Sequence, residues 1–140
     1  MGTRRKTDCL RIYQMARRAV EYQAAEAFPL EVGGFLAGFD SHVLAAVAIT
    51  KYRCRSQTGL EAYGESTARA EEVFGDAILG EFHSHPNTPA ALSKHDMDYM
   101  DDDDIEWVVS VWHGKRKWRF IHQAYQKIDG KTRRLKIEWV

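Results

Sequence analysis

Cysteine is nearly absent from this chain, with Cys9 and Cys54 as the whole complement. Two thiols so far apart in sequence make neither a disulfide framework nor a Cys-rich metal site. They are expected as free thiols packed like small hydrophobes in a reducing compartment. Proline is scarce as well, its three residues spread thinly, and no internal repeat or low-complexity linker interrupts the chain. Net charge is also lacking: the formal sum is zero and the pI is near 7.0. Long-range attraction to nucleic acid or to an anionic membrane is therefore not expected. No apolar run approaches the length of a membrane span. The opening stretch Met1-Gly2-Thr3-Arg4-Arg5-Lys6 is basic, but no long apolar run follows it, so it does not read as a secretory signal. Lys6 stands where a myristoylation signal wants Ser or Thr. A soluble, cytoplasmic protein is expected, with the oligomeric state left open.

What the chain does have is enough apolar material for a core. Hydrophobic residues make up 44% of its 140 residues, among them four Trp, six Tyr and six Phe. That length suits one domain over residues 1–140. The balanced charges are unevenly placed. Asp98, Asp101 to Asp104 and Glu106 form an acidic block. Lys115, Arg116, Lys117 and Arg119 follow it, and Lys131, Arg133, Arg134 and Lys136 lie near the end. Such clusters read either as local partner surfaces or as solvated loops and strand edges.

Periodicity predicts a mixed α/β domain. Residues 9–14 suggest a short opening strand, and Ala16, Ala19, Val20, Gln23 and Ala27 recur at helical spacing over 15–27. Phe28-Pro29 should stop that helix, because the residue before a proline avoids the helical region. Residues 32–39 and 43–52 read as a hairpin turning at Asp40-Ser41, and 53–66 as loop or irregular strand. A short helix over 67–74 and an apolar strand over 77–83 come next. Ser93 is a good N-cap for a helix reaching about residue 100, with Asp96 at the N3 position where acidic residues are favoured. Residues 105–113 form a strand, and 118–127 with 133–140 form a hairpin around Asp129-Gly130, a strong turn signal.

The chemistry concentrates in Gly80-Glu81-Phe82-His83-Ser84-His85-Pro86 and Ser93-Lys94-His95-Asp96. Strand residues two apart share a face, so His83 and His85 can converge on one ion. A third ligand must come from elsewhere, and Asp96 in the first turn of the following helix is well placed to supply it. Two imidazoles and a carboxylate suit a catalytic Zn²⁺ whose fourth position holds water; zinc brings the pKa of that water to about 7. By itself His-x-His also describes two surface or core histidines in a strand. Glu81 should face the same way as His83, as a partner behind it, a rival general base, or an ordinary charge where the strand meets solvent. His95 should point elsewhere on its helix; His42, His113 and His122 have no ligand spacing and are expected to be structural.

With Pro86, Ser93 and Asp96 added, the chain resembles the JAMM (MPN-domain) metalloprotease family, whose signature is an upstream Glu, then His-x-His-Pro, six residues and Ser-x-x-Asp. Six residues separate Pro86 from Ser93 and ten separate His85 from Asp96. Upstream, Glu31-Val32-Gly33-Gly34-Phe35-Leu36-Ala37-Gly38 looks like the family's Glu-x-Gly-Gly-hydrophobic-Leu-x-Gly strand. The resemblance spans roughly residues 10–125, its specific motifs 29–38 and 80–96. It implies a cytidine-deaminase-like α/β fold, a mixed central sheet flanked by helices, with one catalytic zinc on His83, His85 and Asp96. It also implies Glu31 as general acid/base, Ser93 as donor to the oxyanion, and Gly33 and Gly34 as points of close backbone approach. The implied activity is hydrolysis of the amide bond after the C-terminal tail of ubiquitin or a ubiquitin-like protein. Two other readings stay open: release of a small amino acid or peptide from a sulfur-carrier or cell-wall type substrate, and a non-catalytic MPN scaffold.

Overall fold

The structure, a computed structural model, describes residues 7–140; the basic stretch 1–6 lies outside the described residues. β1 (Cys9–Ile12) leads into α1 (Gln14–Ala27), which presents Ala16, Val20 and Ala24 on one buried stripe. Spacing of four residues keeps that stripe on one face, and small residues let the helix lie close to the sheet. α1 ends at Phe28, as the following proline requires. β2 (Gly33–Phe39) and β3 (His42–Ala48) form the expected hairpin, with Asp40 in the left-handed region at its turn.

The expected second strand does not run on to Tyr52. β3 stops at Ala48, and Tyr52 opens a separate hairpin of β4 (Tyr52–Arg55) and β5 (Leu60–Ala62). α2 (Gly64–Phe74) starts three residues before the expected Thr67, inside the polar stretch 53–66 expected as loop or irregular strand. β6 (Ile78–Pro86) extends through both histidines to the proline itself. α3 (Lys94–Tyr99), β7 (Ile105–His113), β8 (Trp118–Ile128) and β9 (Lys131–Trp139) complete the chain.

Seven strands curl into a closed barrel in the order β1-β3-β2-β6-β7-β8-β9, and β4-β5 stands apart as a two-stranded sheet. β6 and β7 pair in parallel, as does β1 with β3 and β9; the remaining pairs are antiparallel. Closure is shortest at the β1–β3 seam, which pairs only Arg11 with His42 and Ile12 with Val43. On one side α1 packs over Leu36, Leu79, Phe82, Trp107, Val109 and Val111. On the other, the segment from Asn87 to Asp104 is sewn onto β7 and β8. Ser110 Oγ donates to Thr88 O at 2.6 Å, Tyr125 Oη donates to Ala90 O at 2.8 Å, and Lys127 Nζ donates to the carbonyls of Met97 and Met100. β7 is thus buried on both faces, which accounts for its near-continuous apolar run. Much of the acidic block serves this covering: Asp104 Oδ2 accepts from Asp101 N, and Asp102 Oδ1 accepts from Gly130 N in the β8–β9 turn.

Gly34 shows why the β2–β3 contact tolerates no side chain. A Cβ there would lie 2.1 Å from Val47 O. The glycine is therefore explained by the neighbouring strand. At Gly33 the close neighbour is Leu60 of β5, so the small hairpin lies over the start of β2.

The fully buried Trp107 donates from Nε1 to His122 Nδ1 at 3.0 Å, and His122 Nε2 meets Glu21 Oε2 of α1 at 2.7 Å. Burial holds the His122 imidazole below its ordinary pKa despite that carboxylate, so the neutral ring bridges the core to the helix. His122→Ala should orphan the buried Trp107 Nε1, leaving Glu21 to Arg17, and cost about 1–3 kcal/mol of stability in denaturant unfolding; an unchanged midpoint would contradict this account of the core.

Candidate metal centre

Strand alternation places His83 and His85 on the face of β6 away from α1, with ring centroids 4.7 Å apart. Their Nε2 atoms approach to 2.9 Å. Each ring is held from behind by an acceptor: His83 Nδ1 lies 2.5 Å from Glu106 Oε1, and His85 Nδ1 lies 2.8 Å from Pro89 O. When Nδ1–H donates to these acceptors, both Nε2 atoms present lone pairs to the same point.

Carboxylates reach that point from two further elements. Asp96 Oδ2 lies 3.3 Å from His83 Nε2 and 3.6 Å from His85 Nε2. It is aimed by a capping box: Ser93 Oγ accepts from Asp96 N, and Asp96 Oδ2 accepts from Ser93 N, both at 3.0 Å. Glu31 arrives from the residues just before β2 and is 7% exposed. Its carboxylate and the ring nitrogens of His83 and His85 all lie within 4.8 Å of one another. Ser84, between the two histidines, points to the opposite face, where its Oγ accepts from Val32 N at 2.9 Å. Ser84 N also donates to Val32 O, and Glu31 N donates to Ser56 O beside the small hairpin. The backbone around Glu31 is thereby pinned on both sides.

The donor set fits a divalent transition metal. Two imidazole lone pairs at 2.9 Å with a carboxylate oxygen beside them repel one another unless a positive charge sits among them. A proton can supply that charge, and His83 shows the pressure to take one. Burial alone would lower its pKa, but hydrogen bonds to Asp96 and Glu106 push it up to about 10. Asp96 is burdened by burial yet is held well below the usual carboxylate range by His83 and His85. Burial raises Glu31, with the two histidines opposing it.

The other residues singled out in the sequence lie elsewhere or play other parts. Glu81 shares the histidines' face but makes no bond to His83; Glu106 fills that place. Glu81 is exposed to solvent, yet the protein around its carboxyl and then Glu106 and Asp104 raise that group to about 7. His95 is exposed and tilted against Tyr99, His42 stacks on Phe39, and His113 stacks on Trp118. Cys54 is exposed beside Glu61, with no histidine among its hydrogen-bond partners. Glu106 and Ser84 were missed as site residues. The only available signal for Glu106 was one carboxylate in an otherwise apolar strand, and the acidic block before it concealed that. Glu106 is 8% exposed, which corrects its placement in a solvated block.

Because hydrogen bonds to Asp96 and Glu106 push the His83 pKa up to about 10, an ion bound at its Nε2 would have to displace a proton. Apparent affinity for Zn²⁺ as a probe should rise about tenfold per pH unit between about pH 7 and pH 9, measured by chelator competition. A flat profile would contradict the proton-for-metal exchange.

Comparison with known proteins finds the family described as prokaryotic homologs of the JAB domain matching residues 14–121. No curated protein matches. Among solved structures, a protein of Desulfitobacterium hafniense superposes with a TM-score of 0.75 at 18% identity, over 94% of this chain and 92% of that one. A JAB1/MPN domain protein of Archaeoglobus fulgidus gives 0.56 at 14% identity, over 94% and 100%. A structure described as "JAMM: a metalloprotease-like zinc site in the proteasome and signalosome" gives 0.54 at 15% identity, over 93% and 98%. These likenesses speak for the fold, and the match over residues 14–121 speaks for descent: the chain belongs to the prokaryotic homologs of the JAB domain.

Proposed function

We propose that this protein is a zinc-dependent isopeptidase or peptidase that cuts the amide bond after the C-terminal tail of a ubiquitin-like protein. In this reading His83, His85 and Asp96 hold one zinc ion, Glu31 is the general acid/base, and Ser93 steadies the oxyanion. The observation that carries it is the convergence of two Nδ1-anchored imidazoles, a capping-box aspartate and a buried glutamate on one point. One similar structure is described as a metalloprotease-like zinc site, which supports the same reading here.

When bound, zinc supplies an acidified water and a Lewis acid for the scissile carbonyl. Glu31 takes the proton from the attacking water and returns it to the leaving amine. Its burial raises its proton affinity, which favours that shuttle over permanent ionisation. Ser93 Oγ uses a lone pair to cap α3, so its hydroxyl proton is free to donate to the developing oxyanion. An extended tail needs backbone partners. Among the described residues the barrel is closed and the β4–β5 hairpin has free edges. That hairpin lies over Gly33 and is tied to Glu31 through Ser56, a placement that suits strand addition of a small-residue tail.

Glu31→Gln should lower kcat by about 100- to 10,000-fold while zinc content and fold persist, whereas Glu81→Gln should retain turnover; the reverse pattern would move the base to Glu81. His83→Ala and Asp96→Ala should lose zinc together with activity, and unchanged zinc content by elemental analysis would reject the ligand set. Zinc-loaded protein should cleave ubiquitin-like fusions or isopeptide conjugates and stop with a chelator. Cleavage of short peptides or sulfur-carrier tails alone would favour the small-substrate reading, and no hydrolysis with zinc bound would favour a scaffold.

A further inference from the structure

We infer that Glu106 is a positioning residue for the metal centre: its carboxylate fixes His83 in the Nδ1–H form and strengthens Nε2 as a ligand. The inference rests on the zinc reading above and adds to it a residue outside the signature motifs. Glu106 stands in β7 among Ile105, Trp107, Val108, Val109 and Val111, all buried, and is itself 8% exposed. A carboxylate in such surroundings is costly unless something partners it. The parallel register pairs Glu106 with Glu81 and Val108 with His83, so Glu106 sits one alternation behind the histidine on the same face. From there Oε1 reaches His83 Nδ1 at 2.5 Å, a short charge-assisted bond.

The two histidines are therefore not equivalent. His85 donates to a neutral carbonyl, that of Pro89, whereas His83 faces a full negative charge. A carboxylate behind an imidazole holds the ring's orientation and tautomer and raises the basicity of the nitrogen facing the metal. His83 is also the more enclosed of the two, being buried where His85 is partly exposed. Its orientation thus depends on what lies behind it rather than on water. Nothing about Glu106 requires contact with substrate.

The test compares zinc affinity, by competition with a chromophoric chelator, for the wild type, Glu106→Gln and Glu106→Leu, with thermal unfolding of each metal-free protein and the visible spectrum of each Co²⁺ form. Glu106→Leu should weaken zinc binding by about 10- to 100-fold. Glu106→Gln preserves shape and an acceptor oxygen but removes the charge, so it should fall between the two, with a shifted Co²⁺ spectrum. Should the leucine variant fail to fold, the near-isosteric glutamine variant decides the matter. Wild-type zinc binding with both folded variants within about twofold of it would overturn the positioning role and leave the zinc reading intact. A wild type that binds no zinc would overturn both.

Discussion

The electrostatics of a single point organise the molecule. Two imidazole nitrogens 2.9 Å apart, with a carboxylate oxygen 3.3 Å from one of them, need a proton or a metal ion among them. Asp96 and Glu106 press His83 toward taking that proton, raising its pKa above the ordinary imidazole value against the opposing effect of burial. The arrangement survives because each of these side chains is braced from a different element. Glu106 and Pro89 stand behind the histidines, the helix cap stands behind Asp96, and the Ser84–Val32 pairing stands beside Glu31. Every brace is a hydrogen bond to a fixed backbone or to a buried strand residue. The geometry is therefore fixed by the chain itself, the kind of preorganisation that a metal site needs.

The barrel explains how so short a chain supplies those braces. Parallel pairing of β6 with β7 requires a crossover, and the crossover is the segment that carries Pro89, Ser93 and Asp96 over the histidines. The same segment buries the second face of β7, so covering the sheet and building the site are one event. Lys127 donates to the last carbonyls of α3 and holds that covering down. On the opposite face α1, Trp107 and His122 form a core that never touches the metal centre. The small β4–β5 hairpin stands outside the closed sheet and keeps free strand edges.

Much of this was legible in the residues. Alternation placed His83 and His85 on one face, the cap signal at Ser93 located α3, and Asp129-Gly130 marked the last turn. The β4–β5 hairpin was not legible, because Arg53, Cys54, Glu61 and the intervening polar residues show neither apolar alternation nor a tight-turn signal. Barrel closure depends on β1 pairing with both β3 and β9, contacts between distant segments that no local pattern encodes. Glu106 escaped for a different reason. Its meaning depends on register between two parallel strands, and in sequence it stands one residue beyond a run of aspartates. Gly34 was recognised as a point of close approach, but only the fold shows that the approaching group is Val47 O.

The most direct measurement on the central claim is zinc K-edge X-ray absorption on purified, zinc-loaded protein. The account predicts two imidazole nitrogens at about 2.0–2.1 Å and oxygen ligands at about 2.0–2.2 Å, with no sulfur in the shell. A shell containing sulfur at about 2.3 Å, or one without imidazole scattering, would contradict it.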